Sequence, residues 1–166
     1  MKAVELAKYV VTFFDDKGDS ITNKKLQKLL YYIEAWNLVY LHSIFSEDIE
    51  AWVYGPVVPE VYQKYKKYGY SPITRKYPAG SSAFDELKKL ENTLNIQGEQ
   101  KELIEAVLEK YGAMSSFQLE RLTHSEKPWA EARGDCGPLD RCFTAINRKT
   151  MKDYYSSLLD DEKKEK

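Results

Sequence analysis

One run of residues, SITNKKLQKLLYYIEAWNLVYLH, limits what this chain can fold into more than any other. Its large apolar side chains recur every three or four positions, which is the spacing of one helix face. They are Leu26, Leu29, Leu30, Ile33, Trp36 and Tyr40. Ser20 or Thr22 is suited to cap the start, and Lys24, Lys25 and Lys28 fall off the apolar stripe. The run therefore predicts a long amphipathic helix with a lysine-bearing exposed side, around which the rest of the chain packs.

The other apolar segments are also spaced as helices. Helical periodicity or capping signals occur near residues 3–15, 59–69, 84–111, 115–124, 128–134 and 147–159. Only residues 49–54 alternate as a strand does, with a second short extended piece expected near 73–77. The prediction is a mainly α fold: a single compact helical domain of about six or seven helices with one or two short β-strands, which a small β-hairpin would accommodate.

A rigid, aromatic corner follows the predicted strand, in the stretch EAWVYGPVVPEVYQKY. Proline donates no ladder hydrogen bond and disfavours a helical residue before it, so Gly55 and Pro56 are expected to end the strand and turn the chain. Pro59 suits the first turn of the next helix. The corner is thus predicted to connect a strand to a helix within a few residues.

The composition of the chain argues against some classes of binding partner. The 166 residues carry 25 basic and 26 acidic side chains, so no overall positive field attracts nucleic acid or an anionic membrane. No export signal and no run of about 18 apolar residues is present, which predicts a cytoplasmic protein with no membrane partner. The two cysteines, Cys136 and Cys142, are expected to stay reduced.

Catalysis and metal binding have weak support in the sequence. His124 lies near Ser115, Ser125 and Cys136, but no nucleophile motif surrounds it, and it is better explained as a residue at a helix end. Neither histidine stands at zinc-ligand spacing from the cysteines. The chain is therefore expected not to be an enzyme and to need no cofactor or metal.

DNA binding is an alternative that the residues leave open. The run TNKKLQK could act as a recognition helix, with the Lys24 to Lys28 face on phosphates and Asn23 and Gln27 on base edges. A solvated helix face explains the same spacing more simply. A small DNA-binding transcriptional regulator is accordingly the second hypothesis.

Protein binding is the first hypothesis, because tyrosine and tryptophan are the residue types that dominate protein interfaces. Several such side chains surround the corner. The partner-binding candidates are Trp52, Tyr54, Tyr62, His124 and Trp129.

The order of three motifs resembles a known family. KLQKLLY at 25–31, AWVYGPV at 51–57 and LERLTHSEKPW at 119–129 are similar to the Panacea domain of SocA-like antitoxins, a family that also includes phage-associated GepA-like proteins. The resemblance covers roughly residues 3 to 157. It predicts a domain over 1–159 and a charged flexible tail over 160–166.

The resemblance implies an antitoxin that neutralises a cognate toxin protein by direct contact. It acts by binding alone or, as in the SocA-like member, as a proteolytic adaptor that delivers the toxin to an AAA+ protease. Two loops, 70–83 and GDCGPLDRCF, are expected to set partner specificity. Six residues of these motifs are expected to support the fold and not to contact the partner; we call them the scaffold positions. They are Lys25, Leu26, Leu29, Tyr31, Gly55 and Pro56.

Overall fold

The computed structural model describes residues 1–164. Eight α-helices and one two-stranded sheet are present in this part of the chain, which confirms the mainly α fold and adds one helix to the upper number expected. The elements are α1 (Ala3–Asp16), α2 (Asn23–Tyr40), β1 (Glu50–Trp52), β2 (Gly55–Val57), α3 (Pro59–Tyr65), α4 (Ala83–Leu94), α5 (Gly98–Gly112), α6 (Ser116–Ser125), α7 (Lys127–Arg133) and α8 (Arg148–Lys164).

Helix α2 is the centre of the fold. Thr22 caps it by accepting the backbone N–H of Lys25, as one of the two expected caps. Helices α1, α3, α5, α6 and α8 and strand β2 all pack on it, while α4 packs on α1. A helix covered from so many directions is buried on more than one face. The single apolar stripe expected from the sequence therefore understates how much of α2 is buried.

The two strands form an antiparallel hairpin. Ala51 lies opposite Pro56, and Trp52 lies opposite Gly55. Gly55 and Pro56 thus begin β2 instead of ending the strand and turning the chain, which corrects the prediction. The N–H of Ala51 is donated to the carbonyl of Thr144 at 2.9 Å, on the side away from β2. Ala51 and Pro56 are therefore not a hydrogen-bonded pair, so the missing N–H of Pro56 removes no bond between the strands.

The segment before α8 covers the free edge of β1. Ala145 forms an isolated bridge with Glu50, and the N–H of Ile146 is donated to the carbonyl of Ile49 at 2.7 Å. The extended segment near Ala145 therefore acts as a third, partial strand. Since it shields the edge of β1, that edge is not available for a partner strand.

A buried carboxylate joins α2 to α8. The Glu34 side chain has no exposed surface, and it accepts hydrogen bonds from the hydroxyl of Ser43 (2.6 Å), the N–H of Ile44 (2.9 Å) and Nε of Arg148 (2.8 Å). Arg148 also donates to the carbonyl of Glu47 at 2.7 Å. This cluster fixes the turn after α2 against the start of α8.

The loop after α3 and the C-terminal end of the chain match the prediction only in part. Residues 69–82 form a loop, as predicted; no strand runs over 73–77 there, only an isolated bridge between Thr22 and Pro72. The predicted tail, 160–166, begins inside α8, which continues to Lys164, and residues 165 and 166 lie outside the described part. Within residues 1–164, no helix has the length and hydropathy of a membrane span.

Candidate functional site

The five partner-binding candidates surround the hairpin. Trp52 and Tyr54 lie on the hairpin itself, Tyr62 on α3, His124 on α6 and Trp129 on α7. Trp52 also contacts Phe143, a residue that the sequence did not indicate. We call the six side chains the hairpin surface: Trp52, Tyr54, Tyr62, His124, Trp129 and Phe143.

Trp52 is the central ring of the hairpin surface. Its ring meets Tyr62 edge to face at 4.9 Å between centroids, and it meets Phe143 edge to face at 6.2 Å. Its indole N–H is donated to the Glu50 carboxylate at 2.6 Å. Trp52 is half-buried, so it holds α3 and the loop before α8 against the hairpin as well as contributing to the surface.

Trp129 attaches α7 to the hairpin. Its indole N–H is donated to the backbone carbonyl of Trp52 at 3.0 Å. The His124 ring stacks on it with centroids 3.9 Å apart, and the guanidinium of Arg133 lies 5.3 Å from its centroid. The carbonyls of Ala51, Gly137 and Asp140 accept hydrogen bonds from the guanidinium of Arg133. These contacts give Trp129 and His124 a structural role in addition to any role in binding.

Tyr54 and Phe143 are the most open members of the hairpin surface, with 63% and 61% of their surface exposed. Tyr54 occupies the tip between the strands, and the ammonium of Lys24 lies 5.3 Å from its ring centroid. Lys24 also forms an ion pair with Glu120 on α6. Two exposed aromatic rings on an anchored frame are the arrangement found at protein interfaces.

Lys28 lies directly beneath the hairpin, with only 1% of its surface exposed. Its ammonium donates to the carbonyl of Pro56 at 3.2 Å. Burial, together with the charge of Lys24, lowers the pKa of Lys28 to about 7, although Glu120 opposes this shift. The side chain passes under Gly55, which leaves room for it because glycine has no Cβ.

The burial of Lys28 corrects the prediction of an exposed lysine face on α2. Lys24 is engaged with Glu120, and the ammonium of Lys25 donates to the carbonyl of Gly112 at 2.6 Å. The three lysines therefore point into neighbouring elements and do not present a row of free charges to a phosphate backbone. The physical reason is that β2 and α6 cover this side of α2.

The polar residues suggested for base recognition are internal too. Oε1 of Gln27 accepts the N–H of Val58 at 2.9 Å, and its amide donates to Asn23 at 2.9 Å. Asn23 in turn donates to the carbonyl of Tyr62 at 3.2 Å. Gln27 and Asn23 thereby satisfy one backbone group just before α3 and one within it, and so hold α3 against α2. Their role was not visible in the sequence because it depends on a contact with a distant segment.

The predicted scaffold positions on α2 are buried as expected for core residues. Leu26, Leu29 and Tyr31 have no exposed surface. Gly55 and Pro56 are buried as well, and Gly55 has a φ of 99°, in the region that favours glycine. The scaffold positions therefore lie where α2, the hairpin and α6 pack against one another.

A second polar cluster, which the sequence did not indicate, lies between α2, α7 and α8. The carboxylate of Glu126 is buried and accepts the hydroxyls of Tyr155 (2.6 Å) and Tyr32 (3.0 Å). The Tyr155 hydroxyl lies 3.2 Å from that of Tyr31. Burial raises the pKa of Glu126 to about 7, although both tyrosine hydrogen bonds oppose this shift.

The raised pKa of Glu126 predicts a stability that falls as pH rises from about 4.5 to about 7. In that window the unfolded carboxyl has lost its proton and the folded one has kept it, so the folded state binds more protons. The linked loss of unfolding free energy is roughly 3 kcal/mol. Urea unfolding of the wild type and of Glu126→Gln at several pH values measures it. The difference between the two proteins should change across this window, and an identical pH profile for both would contradict the prediction.

The chemistry available at His124 is limited by its contacts. Burial lowers the pKa of His124, so the ring is neutral at neutral pH, and its Nε2 is buried without a partner in the described residues. The hydroxyl of Ser125 donates to the carbonyl of Leu122 at 2.7 Å, and that of Thr123 donates to the carbonyl of Glu120 at 2.9 Å. Neither hydroxyl is hydrogen-bonded to the imidazole, which is the contact that a nucleophile and its base require.

Residues 26–130, well over half of the chain, match a family model described as antitoxin SocA-like, Panacea domain. The match contains five of the six residues of the hairpin surface, all except Phe143. A search of curated proteins found no match, and neither did a search of solved structures.

Proposed function

Because the chain belongs to the antitoxin SocA-like family, defined by the Panacea domain, we propose that it neutralises a cognate toxin protein by direct binding. The family match is the observation that carries this proposal. It spans the hairpin, α3, α6 and the start of α7, which carry five of the six residues of the hairpin surface. We place the toxin contact on that surface.

The construction of the hairpin surface supports a binding role. Tyr54 and Phe143 are open to solvent, while Trp52 and Trp129 are held by hydrogen bonds and ring contacts beneath them. A partner that docks on such a frame orders few side chains, and the entropic cost of binding is correspondingly small. Exposed tyrosine and phenylalanine rings then supply apolar contact area at the centre of the interface.

We propose further that the protein acts stoichiometrically and does not turn over a substrate. The engaged hydroxyls around His124 support this, as does the role of His124 and Trp129 in joining α6 and α7 to the hairpin. His124→Ala tests it. We expect loss of stability and of neutralisation together, whereas a variant of full stability that still binds the toxin but no longer neutralises it would favour a chemical role.

The direct test of toxin binding is a pull-down of the tagged protein from cells that also express a neighbouring open reading frame, with growth rescue scored in the same strain. A stable complex together with rescue supports the proposal, and absence of both contradicts it. The half-life of the toxin separates the two modes of action. An unchanged half-life in the complex indicates inhibition by binding, and a shortened half-life that requires an AAA+ protease indicates delivery for degradation.

The hairpin surface itself is tested by the double variant Tyr54→Ala, Phe143→Ala. Both rings are largely exposed, so the fold should tolerate their removal, while toxin affinity should fall at least about tenfold because interface aromatics each contribute about 1–2 kcal/mol. The matched control is Tyr40→Ala, Phe84→Ala, which removes two comparably exposed rings elsewhere. Calorimetry with purified toxin measures both. Equal affinities of the two double variants would place the contact on another surface.

A further inference from the structure

The positive charge of this chain is unevenly distributed. Residues 61–84 contain five basic and no acidic side chains, although acidic residues slightly outnumber basic ones in the whole chain. The same segment contains five tyrosines. The basic residues are Lys64, Lys66, Lys67, Arg75 and Lys76, and the tyrosines are Tyr62, Tyr65, Tyr68, Tyr70 and Tyr77. Alternation of cationic and aromatic side chains is typical of surfaces that bind single-stranded nucleic acid.

The fold gathers part of this segment around a pocket of about 290 Å³ between α1, α3 and the loop that follows. Four of its lining side chains are cationic and two are aromatic. The lining residues used below are Lys8, Lys64, Lys67, Arg75, Tyr65 and Tyr68. None of them belongs to the hairpin surface. The pocket is therefore a separate feature of the molecule.

The wall formed by Arg75 is held in place by α1 and α4. Its guanidinium donates to the carbonyl of Lys8 at 3.2 Å and to the hydroxyl of Thr12. The carboxylate of Glu86 pairs with both Arg75 and Lys8. One carboxylate thus faces two cations, and a positive charge remains at this wall.

Lys64 and Lys67 add two positive charges that no salt bridge engages among the side chains that the structure describes. Both side chains are exposed, and neither forms an ion pair with a side chain of residues 1–160. The ammonium of Lys67 lies 5.2 Å from the centroid of the Tyr68 ring. The mouth of the pocket therefore combines free ammonium groups with an aromatic ring.

The loop beyond Tyr68 is anchored at its base and open at its tip. The Tyr68 hydroxyl donates to the carbonyl of Thr74 at 2.9 Å, and the N–H of buried Ile73 is donated to the carbonyl of Ile21 at 2.9 Å. Tyr70, at the tip, is 97% exposed. Since such a ring contributes nothing to the core, it is available to stack on a ligand.

We propose that this pocket and the Tyr70 loop bind a nucleotide phosphate, with the phosphate on Lys64 and Lys67 and the base against a tyrosine ring. Ammonium groups are point charges suited to phosphate oxygens, and base stacking on an aromatic ring requires no particular sequence. The pocket volume, about 290 Å³, lies close to the lower end of the range for small-ligand sites. Its ligand is either a free nucleotide or one unit of a single strand. A stacked base uses the tyrosine rings together with the lysines, and competition by an acidic peptide is one outcome of the test below.

The test uses the full chain and two probes: AMP, and a fluorescent single-stranded oligoadenylate of about twelve nucleotides. Fluorescence anisotropy measures binding of the oligoadenylate, and competition measures AMP. Lys64→Glu with Lys67→Glu should weaken oligoadenylate binding at least tenfold. Lys149→Glu with Lys152→Glu, which makes the same charge change at exposed positions of α8, should weaken it less than threefold. The logarithm of the affinity should fall with that of the salt concentration by about 0.7 per phosphate contacted.

The outcomes separate the possible ligands. Competition by AMP at millimolar concentration supports a free nucleotide, and binding of the oligoadenylate alone supports a single strand. Tyr70→Ala should weaken oligoadenylate binding severalfold in the latter case. The proposal is overturned if neither probe binds, or if both double variants lose affinity equally. It is also overturned if oligoglutamate competes as well as AMP and Tyr70→Ala has no effect, which would indicate an acidic protein partner. The assay contains no toxin, so its result is independent of the antitoxin function.

Discussion

Gly55→Ala is expected to destabilise the protein by roughly 3 kcal/mol or more. Gly55 has a φ of 99°, which a residue with a Cβ rarely adopts, and the added Cβ would lie 2.6 Å from Cε of Lys28 and 3.0 Å from Oγ1 of Thr123. Strain of this kind costs about 1–3 kcal/mol, and overpacking of a buried site costs a similar amount. The Lys28 side chain cannot swing aside cheaply, because it is fully buried and bonded to the carbonyl of Pro56. Urea unfolding followed by circular dichroism measures the loss.

Gly18→Ala is the matched control for Gly55→Ala. Gly18 also has a positive φ, of 71°, but an added Cβ would meet no atom within 4 Å. It should therefore cost only the backbone strain, about 1–2 kcal/mol. Equal losses for the two variants would show that the contact with Lys28 does not limit the residue at position 55.

Glu34→Ala is expected to destabilise the protein by about 3–5 kcal/mol. The carboxylate has no exposed surface, and its removal leaves Arg148 without its closest anionic partner and the N–H of Ile44 without an acceptor. Removing the buried member of such a pair is costly because Arg148, with only 27% of its side chain exposed, stays largely desolvated without its partner. Since Glu34 joins the end of α2 to α8, the melting temperature should fall along with the unfolding free energy.

Asp153→Ala provides the comparison for Glu34→Ala. Asp153 pairs with Lys149 on the exposed face of α8 at 2.5 Å, with 61% of its side-chain surface open to solvent. Exposed pairs of this kind contribute less than about 1 kcal/mol. A loss from Glu34→Ala as small as that from Asp153→Ala would show that the Glu34 cluster is not a structural anchor.

Much of the helical architecture follows from local patterns. The apolar spacing of α2 and the cap at Thr22 are properties of a few consecutive residues, and the structure confirms both. The capping signal expected near residue 115 is also confirmed, because Ser115 and Gln118 form a capping box at the start of α6. Local signals of this kind survive folding because tertiary contacts reinforce them.

The hairpin shows where local rules are insufficient. Proline was expected to end a strand, yet Pro56 lies within β2. The position is tolerated because the N–H of Ala51 bonds to Thr144, about ninety residues further along the chain. The identity of that partner is set by how the segment before α8 returns to the hairpin, and no local pattern near Pro56 contains this information.

The candidate site was also predictable only in part. The aromatic residues of the corner could be chosen as binding candidates from the sequence, because tyrosine and tryptophan are typical of interfaces. Phe143 could not, because it belongs to this surface only through its contact with Trp52. Lys28 was assigned to an exposed face, since a lysine off the apolar stripe is usually solvated. It is buried because the hairpin and α6 fold over it.

Short-range patterns specify the mainly α class, the start of α2 and the three motifs that resemble the antitoxin family. These depend on residues close together in the chain, whose periodicity and capping act over one or two helical turns. The packing of distant segments places Lys28 under Gly55, brings Glu126 against Tyr32 and Tyr155, and forms the basic pocket beside α1. Burial and charge environment depend on which distant elements come to lie against a side chain, and this is settled when the whole chain packs.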